Sequence, residues 1–464
     1  HYPLRRQRQM CIRDRINTDT IDQLGLAWTK QIGDYNMRMQ GTPIVVDGVM
    51  YVTNGWSVIY ALDATTGEEI WNYDPEVDKS SIRLACCGPA HNRGAAVYEG
   101  KVFVGTFDGR LIAVDANTGQ EVWDVDTWIP EGLGRFNITG APRAAAGKVY
   151  IGQGSGESGH RRGYVTAYDA NTGEVDWRFF LVPGDPSQPF EHPEMELAAQ
   201  TWGGEWWKYG GGGTAWNSLV YDEEFDSLYI GVGNGAPWPR EIRSPGGGDD
   251  LFLSAIVSVD VDTGRMNWYY QTTPGDNWDY SSAMDMALGE IEFGGEMRKV
   301  LLQAPKNGFF YVIDRTNGEF ISAKPYAKVN WASHIDPDTG RPVMTDVANY
   351  RDEPQFTLPS MVGAHNWHPM AYHPEHQLMY IPTIEQGFEF KANNEFANEG
   401  TLHTGVAMSM GRADPLLFKA VQKATHIGSI VAWDPVAQTE RWRVDFDEPW
   451  SMSLLVTAGN LLFQ

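Results

Sequence analysis

One short pattern recurs along the chain and confines it to a repeat architecture: an apolar run, Asp, two residues, Thr-Gly, a few residues and then Trp. It stands as Ala61-Leu62-Asp63-Ala64-Thr65-Thr66-Gly67 to Trp71, as Ala113-Val114-Asp115-Ala116-Asn117-Thr118-Gly119 to Trp123, and as Ala167-Tyr168-Asp169-Ala170-Asn171-Thr172-Gly173 to Trp177. It returns as Val259-Asp260-Val261-Asp262-Thr263-Gly264 to Trp268, with degenerate copies at Ile313-Asp314 to Phe320 and at Ala432-Trp433-Asp434 to Trp442. Each copy reads as a hairpin in which Asp accepts local amide hydrogen bonds, Gly supplies a positive φ and the returning strand buries its Trp. A second strand pair lies upstream of each, as in Pro43 to Val52. Four strands per ~50 residues is the size of a propeller blade, so the repeat predicts an all-β propeller. The 50 Gly, 26 Pro, 18 Trp, 20 Tyr and 19 Phe, against 21% charge, suit short strands and tight turns rather than amphipathic helices.

The spacing of the repeat locates its interruptions. Trp71 to Trp123 is 52 residues and Trp123 to Trp177 is 54, but Trp177 to Trp268 is 91. The fourth repeat therefore carries an insertion of about forty residues, expected mostly over Leu181 to Tyr209, and insertions on a propeller lie on the faces where sites are built. Residues 1–15, with five Arg and one Asp, fit neither the rest of the composition nor a signal peptide. They look like translated adapter sequence and are set aside, leaving one domain over 16–464. Leu454 to Gln464 starts a blade and stops before its Asp-Thr-Gly turn, so the last blades are expected to be truncated in this chain.

Net charge is −24, which excludes a nucleic-acid partner and suits either a positively charged protein or plain solubility. No apolar run approaches the roughly 18 residues of a membrane span. No Cys-x-x-Cys-His occurs, so no c-type haem is expected in this chain. Cys86 and Cys87 are adjacent, and Cys11 is the only other cysteine. A disulfide between neighbours closes no useful chain loop, so the pair alone fits equally a rigid local surface or two reduced core residues.

Three longer motifs carry a resemblance: Trp206-Trp207-Lys208-Tyr209-Gly210-Gly211-Gly212-Gly213-Thr214, Arg243-Ser244-Pro245-Gly246-Gly247-Gly248-Asp249 and Gln303-Ala304-Pro305-Lys306-Asn307-Gly308-Phe309-Phe310-Tyr311. Over about Ile16 to Gln464 the chain resembles the pyrroloquinoline quinone (PQQ) dependent alcohol dehydrogenases, the quinohaemoprotein ethanol dehydrogenases above all. The resemblance implies an eight-bladed propeller and a disulfide between Cys86 and Cys87 against one face of the quinone, with Trp216 on the other. It implies cofactor contacts at Gln40, Arg93, Thr139, Ser155, Gly156, Thr214, Lys306, Asn366, Trp367 and Trp450. Arg93 and the hydroxyls would meet PQQ's carboxylates and Lys306 its quinone oxygens. Glu157, Asn234 and Asp279 match the ligands of a Ca²⁺ ion. Asp279 also matches the catalytic base, which removes the alcohol proton as hydride passes to the quinone.

Some positions depart from the family pattern. Gln40 stands where relatives commonly have Glu, and the stretch from the cysteines to Arg93 is one residue longer. Ser281 stands where lanthanide-using relatives carry an extra Asp, which favours calcium. The implied activity is oxidation of a small primary alcohol to an aldehyde, with electrons passed to a cytochrome c or small copper protein in the periplasm, the oxidising compartment a disulfide requires. Two rival readings are a non-catalytic Trp-repeat propeller that binds proteins and a dehydrogenase of sugars or polymer alcohols using the same cofactor.

Overall fold

Each repeat folds into a four-stranded antiparallel sheet taken in sequence order, and six such sheets occur among the described residues. The structure, a computed structural model, describes residues 16–33, 38–84, 90–129, 136–158, 160–393, 404–407, 428–448 and 453–464. Residues 1–15, Cys86, Cys87 and Trp450 lie outside them. The first blade runs Ile44–Val46, Val49–Thr53, Ile59–Asp63, Glu69–Tyr73, and the second Ala96–Tyr98, Lys101–Gly105, Arg110–Asp115, Glu121–Asp126. The third is Arg143–Ala145, Lys148–Gly152, Tyr164–Asp169, Val175–Phe180, and the fourth Leu219–Asp222, Ser227–Gly231, Ala255–Asp260, Met266–Gln271. The fifth is Met286–Phe293, Glu296–Gln303, Phe309–Asp314, Phe320–Pro325, and the sixth Ala371–His373, Leu378–Ile384, Gly428–Asp434, Thr439–Phe446. A hairpin, Leu455–Val456 with Leu462–Phe463, follows. First strands of successive blades touch one another from the first blade to the fourth, and the sixth blade's first strand touches that hairpin, as innermost strands of a propeller do.

The repeat motif has two jobs. In the turn, Asp63 Oδ1 accepts the amides of Thr65 and Thr66 at 2.9 and 2.8 Å while Gly67 takes φ +73°, and Asp115, Asp169 and Asp260 repeat the arrangement. The Thr118 and Thr263 hydroxyls, with the turn amides, hold Asp115 and Asp260 below the usual carboxylate range, and the turn amides lead the same lowering at Asp63 and Asp169. The Trp then latches blades together. Trp71, Trp123, Trp177 and Trp268 donate Nε1–H to the carbonyls of Ala116, Ala170, Val261 and Arg315 in the next blade's turn. Each indole lies flat on that turn's glycine, so that a Cβ on Gly119, Gly173, Gly264 or Gly318 would stand 2.5 to 2.9 Å from the ring. Trp28, which has no such turn before it, makes the same latch onto Ala64 and Gly67.

One expectation needs correction, and one turn went unread in the sequence. The extra length of the fourth repeat is split: part precedes the blade, with the helix Pro193–Ala199, and part lies inside it, between Gly231 and Ala255. A further Asp-x-x-Thr-Gly turn, Asp336 to Gly340, sits on the small hairpin Ala332–Ile335 with Pro342–Met344 rather than on a blade, and Phe320 packs on Gly340 in place of a Trp. Among the described residues no helix is long and apolar enough to cross a membrane.

Candidate active site

In a sheet of four sequential antiparallel strands, the link from second to third strand and the link to the next blade emerge on one face, opposite the Asp-Thr-Gly turns. A cavity of about 420 Å³ opens on that face, and its walls come from those links. Gln40, Arg93, Thr139, Thr214, Trp216, Asp279, Asn366 and Trp367 precede first strands. Ser155, Glu157, Asn234 and Lys306 lie between second and third strands. The structure thus brings together twelve of the residues singled out from sequence. Gly156 packs against Thr214 without reaching the cavity surface. No residue of 181–209 lines the cavity, whereas Trp238, from the inner half of the same insertion, does, together with Arg38, His91, Asn137, Met361, Val362 and Thr404.

One wall is an oxygen cluster. Asn234 Nδ2 donates to Glu157 Oε1 at 2.7 Å, and the Ser281 hydroxyl lies 3.1 Å from Asn234 Oδ1 and 3.3 Å from Asp279 Oδ1. Lys306 Nζ donates to Asp279 Oδ1 at 2.9 Å and to Met361 O at 3.2 Å. Lys306 is presented by a turn that Asn307, fully buried, locks through bonds to Thr272 O, Thr273 Oγ1 and Tyr311 OH. Burial raises the Asp279 carboxyl to about 7, and nearby Glu157 adds to the shift while Lys306 opposes it. Asp279 itself sits at φ +69°, a conformation an Asp tolerates but must be held in.

The other wall is cationic and aromatic. Arg93 donates Nη1–H to Thr139 Oγ1 at 2.7 Å, and its guanidinium lies 5.0 Å from the Trp216 ring and 5.6 Å from that of Trp367. Among the described residues its Nε has no hydrogen-bond partner, and burial lowers its pKa to about 9. Gln40 Oε1 is likewise buried without a partner among them. Trp216 donates Nε1–H to Ser281 Oγ at 3.4 Å, which ties the aromatic wall to the oxygen cluster.

This donor set fits the groups the sequence implied. Among the described residues no three His, Cys, Asp or Glu side chains gather as a metal cluster. Glu157, the Asn234 amide and Asp279 instead offer two acids and a neutral oxygen, the hard ligand set a divalent cation such as Ca²⁺ takes when a bound cofactor completes its shell. A half-buried Arg93 without a carboxylate partner among the described residues suits a small anionic molecule, and the indole face of Trp216 suits a flat one.

Residues 7–332 match the protein family described as the PQQ β-propeller domain of glucose, ethanol and alcohol dehydrogenases. The chain is 48% identical over 461 residues to the quinohemoprotein alcohol dehydrogenase of Comamonas testosteroni, covering 97% of this chain and 63% of that protein. It is 43% identical over 465 residues to the 1-butanol dehydrogenase (cytochrome c) of Thauera butanivorans, covering 97% of this chain and 65% of that one. The solved quinohemoprotein alcohol dehydrogenase ADHIIG of Pseudomonas putida superposes with a TM-score of 0.92 at 47% identity, covering 97% of this chain and 66% of that one. The chain spans a little under two thirds of the length of the curated relatives it matches.

Proposed function

The chain belongs to the PQQ-dependent glucose, ethanol and alcohol dehydrogenase β-propeller family, and on that premise we propose that the whole protein is a PQQ- and calcium-dependent alcohol dehydrogenase. It oxidises small primary alcohols to aldehydes in the periplasm and passes the electrons to a cytochrome c or a small copper protein. The observation that carries the reading is the meeting of Asp279, Lys306, Glu157 and Asn234 in one wall of a cavity whose other wall is Arg93 and Trp216.

When bound, PQQ takes up the two electrons of the alcohol and Ca²⁺ polarises the quinone carbonyl. Glu157, Asn234 and Asp279 would hold the cation, and Arg93 with Thr139 would clamp a cofactor carboxylate. Trp216 would supply one stacking face and, by the family resemblance, a Cys86–Cys87 disulfide the other; Thr214, Ser155, Gly156, Asn366, Gln40 and Trp450 would complete the contacts. Asp279 would take the hydroxyl proton, and the adjacent cation would favour its ionised, proton-accepting form. Lys306 orients the carboxylate through Oδ1. Trp238, Met361 and Val362 give the substrate side an apolar lining.

The latches support the eight-bladed reading. Six four-stranded blades occur among the described residues, the hairpin at 455–463 fits the inner half of a seventh, and Trp28 makes the contact that an outer-strand Trp makes in the other blades. That supports a ring of eight.

The deciding experiment reconstitutes the full-length protein with PQQ and Ca²⁺ and follows alcohol-dependent dye reduction. Wild type is expected to be active and Asp279→Asn to lose on the order of 10²–10⁴-fold in kcat. A silent wild type, or an Asp279→Asn variant indistinguishable from it, would favour the protein-binding scaffold instead.

A further inference from the structure

The motif Arg243-Ser244-Pro245-Gly246-Gly247-Gly248-Asp249 contributes no residue to the cavity surface, yet it supplies one of the largest fully buried side chains in the protein. Arg243 ends the short helix Arg240–Arg243 and is 0% exposed. All five of its N–H groups are used. Nη1 donates to Pro237 O at 2.6 Å and Trp238 O at 2.8 Å; Nη2 donates to Asp250 Oδ2 and Asp276 O, both at 2.9 Å; Nε donates to Asp250 Oδ2 at 3.2 Å. A guanidinium with every donor satisfied, two of them by a buried carboxylate, is a rigid fork.

What the fork touches is the back of the site. Its plane lies on Gly235, where any Cβ would collide with Cζ and Nη1, and Gly235 directly follows Asn234. Its carbonyl partners at Pro237 and Trp238 carry the Trp238 wall. Its partner Asp276 opens the loop that presents Asp279, and Asp276 Oδ1 accepts the amides of Trp278 at 3.1 Å and Tyr280 at 3.0 Å, one on each side of Asp279. Those two bonds hold Asp279 at φ +69° with its carboxylate beside Lys306.

We propose that Arg243 and Asp276 are positioning residues for the cation and base site, Arg243 bracing Asn234, the Trp238 wall and the Asp279 loop against one another and Asp276 clamping the loop from within. The proposal rests on the functional reading above. It treats the two residues as a geometric brace, so what matters at position 276 is an oxygen acceptor rather than a charge.

The test uses the full-length protein and two readouts: Ca²⁺ affinity of the cofactor-free form by isothermal titration, and kcat and KM of the reconstituted enzyme. Asp276→Asn keeps an Oδ1 for both amides and is expected within about threefold of wild type. Asp276→Ala removes it and is expected to lose 10–100-fold in Ca²⁺ affinity and in kcat, the usual effect of removing support behind a ligand. Arg243→Lys keeps a charge for Asp250 but cannot span the same acceptors, and a similar loss is expected. Wild-type Ca²⁺ affinity and kcat in both Asp276→Ala and Arg243→Lys, even with a lowered melting temperature, would overturn the brace, as would Asp276→Asn being as damaging as Asp276→Ala. Should Arg243→Lys fail to fold, the Asn and Ala variants at 276 still decide. A wild type that neither binds Ca²⁺ nor oxidises alcohol brings down the functional reading and this inference with it; an active wild type matched by its variants brings down this inference alone.

Discussion

The Ser281 hydroxyl has one proton and three polar neighbours. It accepts from Trp216 Nε1 and can donate to only one of Asn234 Oδ1 and Asp279 Oδ1, so it links the aromatic floor to the ligand cluster without adding a charge. Two acids suit a divalent ion; a third at this position raises the ligand charge toward that of a trivalent one. Ser281→Asp is therefore expected to shift the La³⁺ over Ca²⁺ preference by at least about tenfold, measured by competition titration of the cofactor-free protein, and an unchanged preference would remove the charge argument for calcium. His368 gives a second residue-scale prediction. It stacks on Trp367 with ring centroids 3.9 Å apart, and burial, reinforced by His365 and Arg93, lowers its pKa to about 3. The folded pKa lies below the unfolded value near 6.5, so the neutral ring's contribution is complete above pH 6.5 and is lost as pH falls. At pH 5 the loss is about 2 kcal/mol by 1.36 kcal/mol per unit. His368→Asn should show that much less acid destabilisation than wild type in denaturant titrations at pH 7 and 5; parallel pH dependence of the two would contradict it.

The blade-to-blade latch is where sequence and structure correspond most directly, because one short motif encodes both halves of a contact between neighbouring elements. Gly119 must be glycine twice over: it takes φ +70°, and a Cβ there would stand 2.7 Å from the Trp71 ring. Gly119→Ala is expected to cost at least about 2 kcal/mol, and Trp123→Ala, which empties a site 8% exposed, about 3–5 kcal/mol by guanidinium unfolding. A Gly119→Ala variant as stable as wild type would show that the latch is not a tight contact. The same directness explains what was legible in the sequence. Asp63, Asp115, Asp169 and Asp260 announce their turns locally, and Lys306 sits in a motif long enough to be matched as a string, whereas Glu157, Asn234 and Asp279 stand out only through the family resemblance. Trp28 was invisible because its signal is the turn it lands on, not the one before it. Trp238 and Thr404 escaped for a similar reason, since only the folding of separate links onto one face, with Trp238 N donating to Thr404 O at 2.7 Å, makes them neighbours. Arg243 stood in a quoted motif, but nothing in a linear string distinguishes a surface Arg from a buried fork.

At the scale of the whole molecule, the tryptophan latches bear on the proposed eight-bladed ring. Trp123, Trp177 and Trp268 are 8, 9 and 8% exposed, whereas Trp442, at the equivalent place on the sixth blade, is 40% exposed and rests on Tyr380 of its own sheet. Val444 on the same strand, Leu455 on the following hairpin, and Leu24 and Leu26 are also exposed. The proposed eight-bladed ring accounts for both observations at once: a seventh turn would take Trp442, and an eighth blade would accept the segment that carries Trp28. The latch then sets a measurable difference between two polypeptides. In one that completes the ring, Trp442→Ala should cost about 3–5 kcal/mol, as Trp123→Ala does, because the indole would lose a neighbouring blade's glycine and carbonyl. In the 464-residue chain it should cost about 1 kcal/mol or less, since a side chain that still meets solvent gives up little apolar contact. Guanidinium unfolding of the four proteins measures the difference. Equal costs in the two backgrounds would mean that no blade follows onto Trp442, and the ring would then have to close by some route other than the repeat that builds the rest of it.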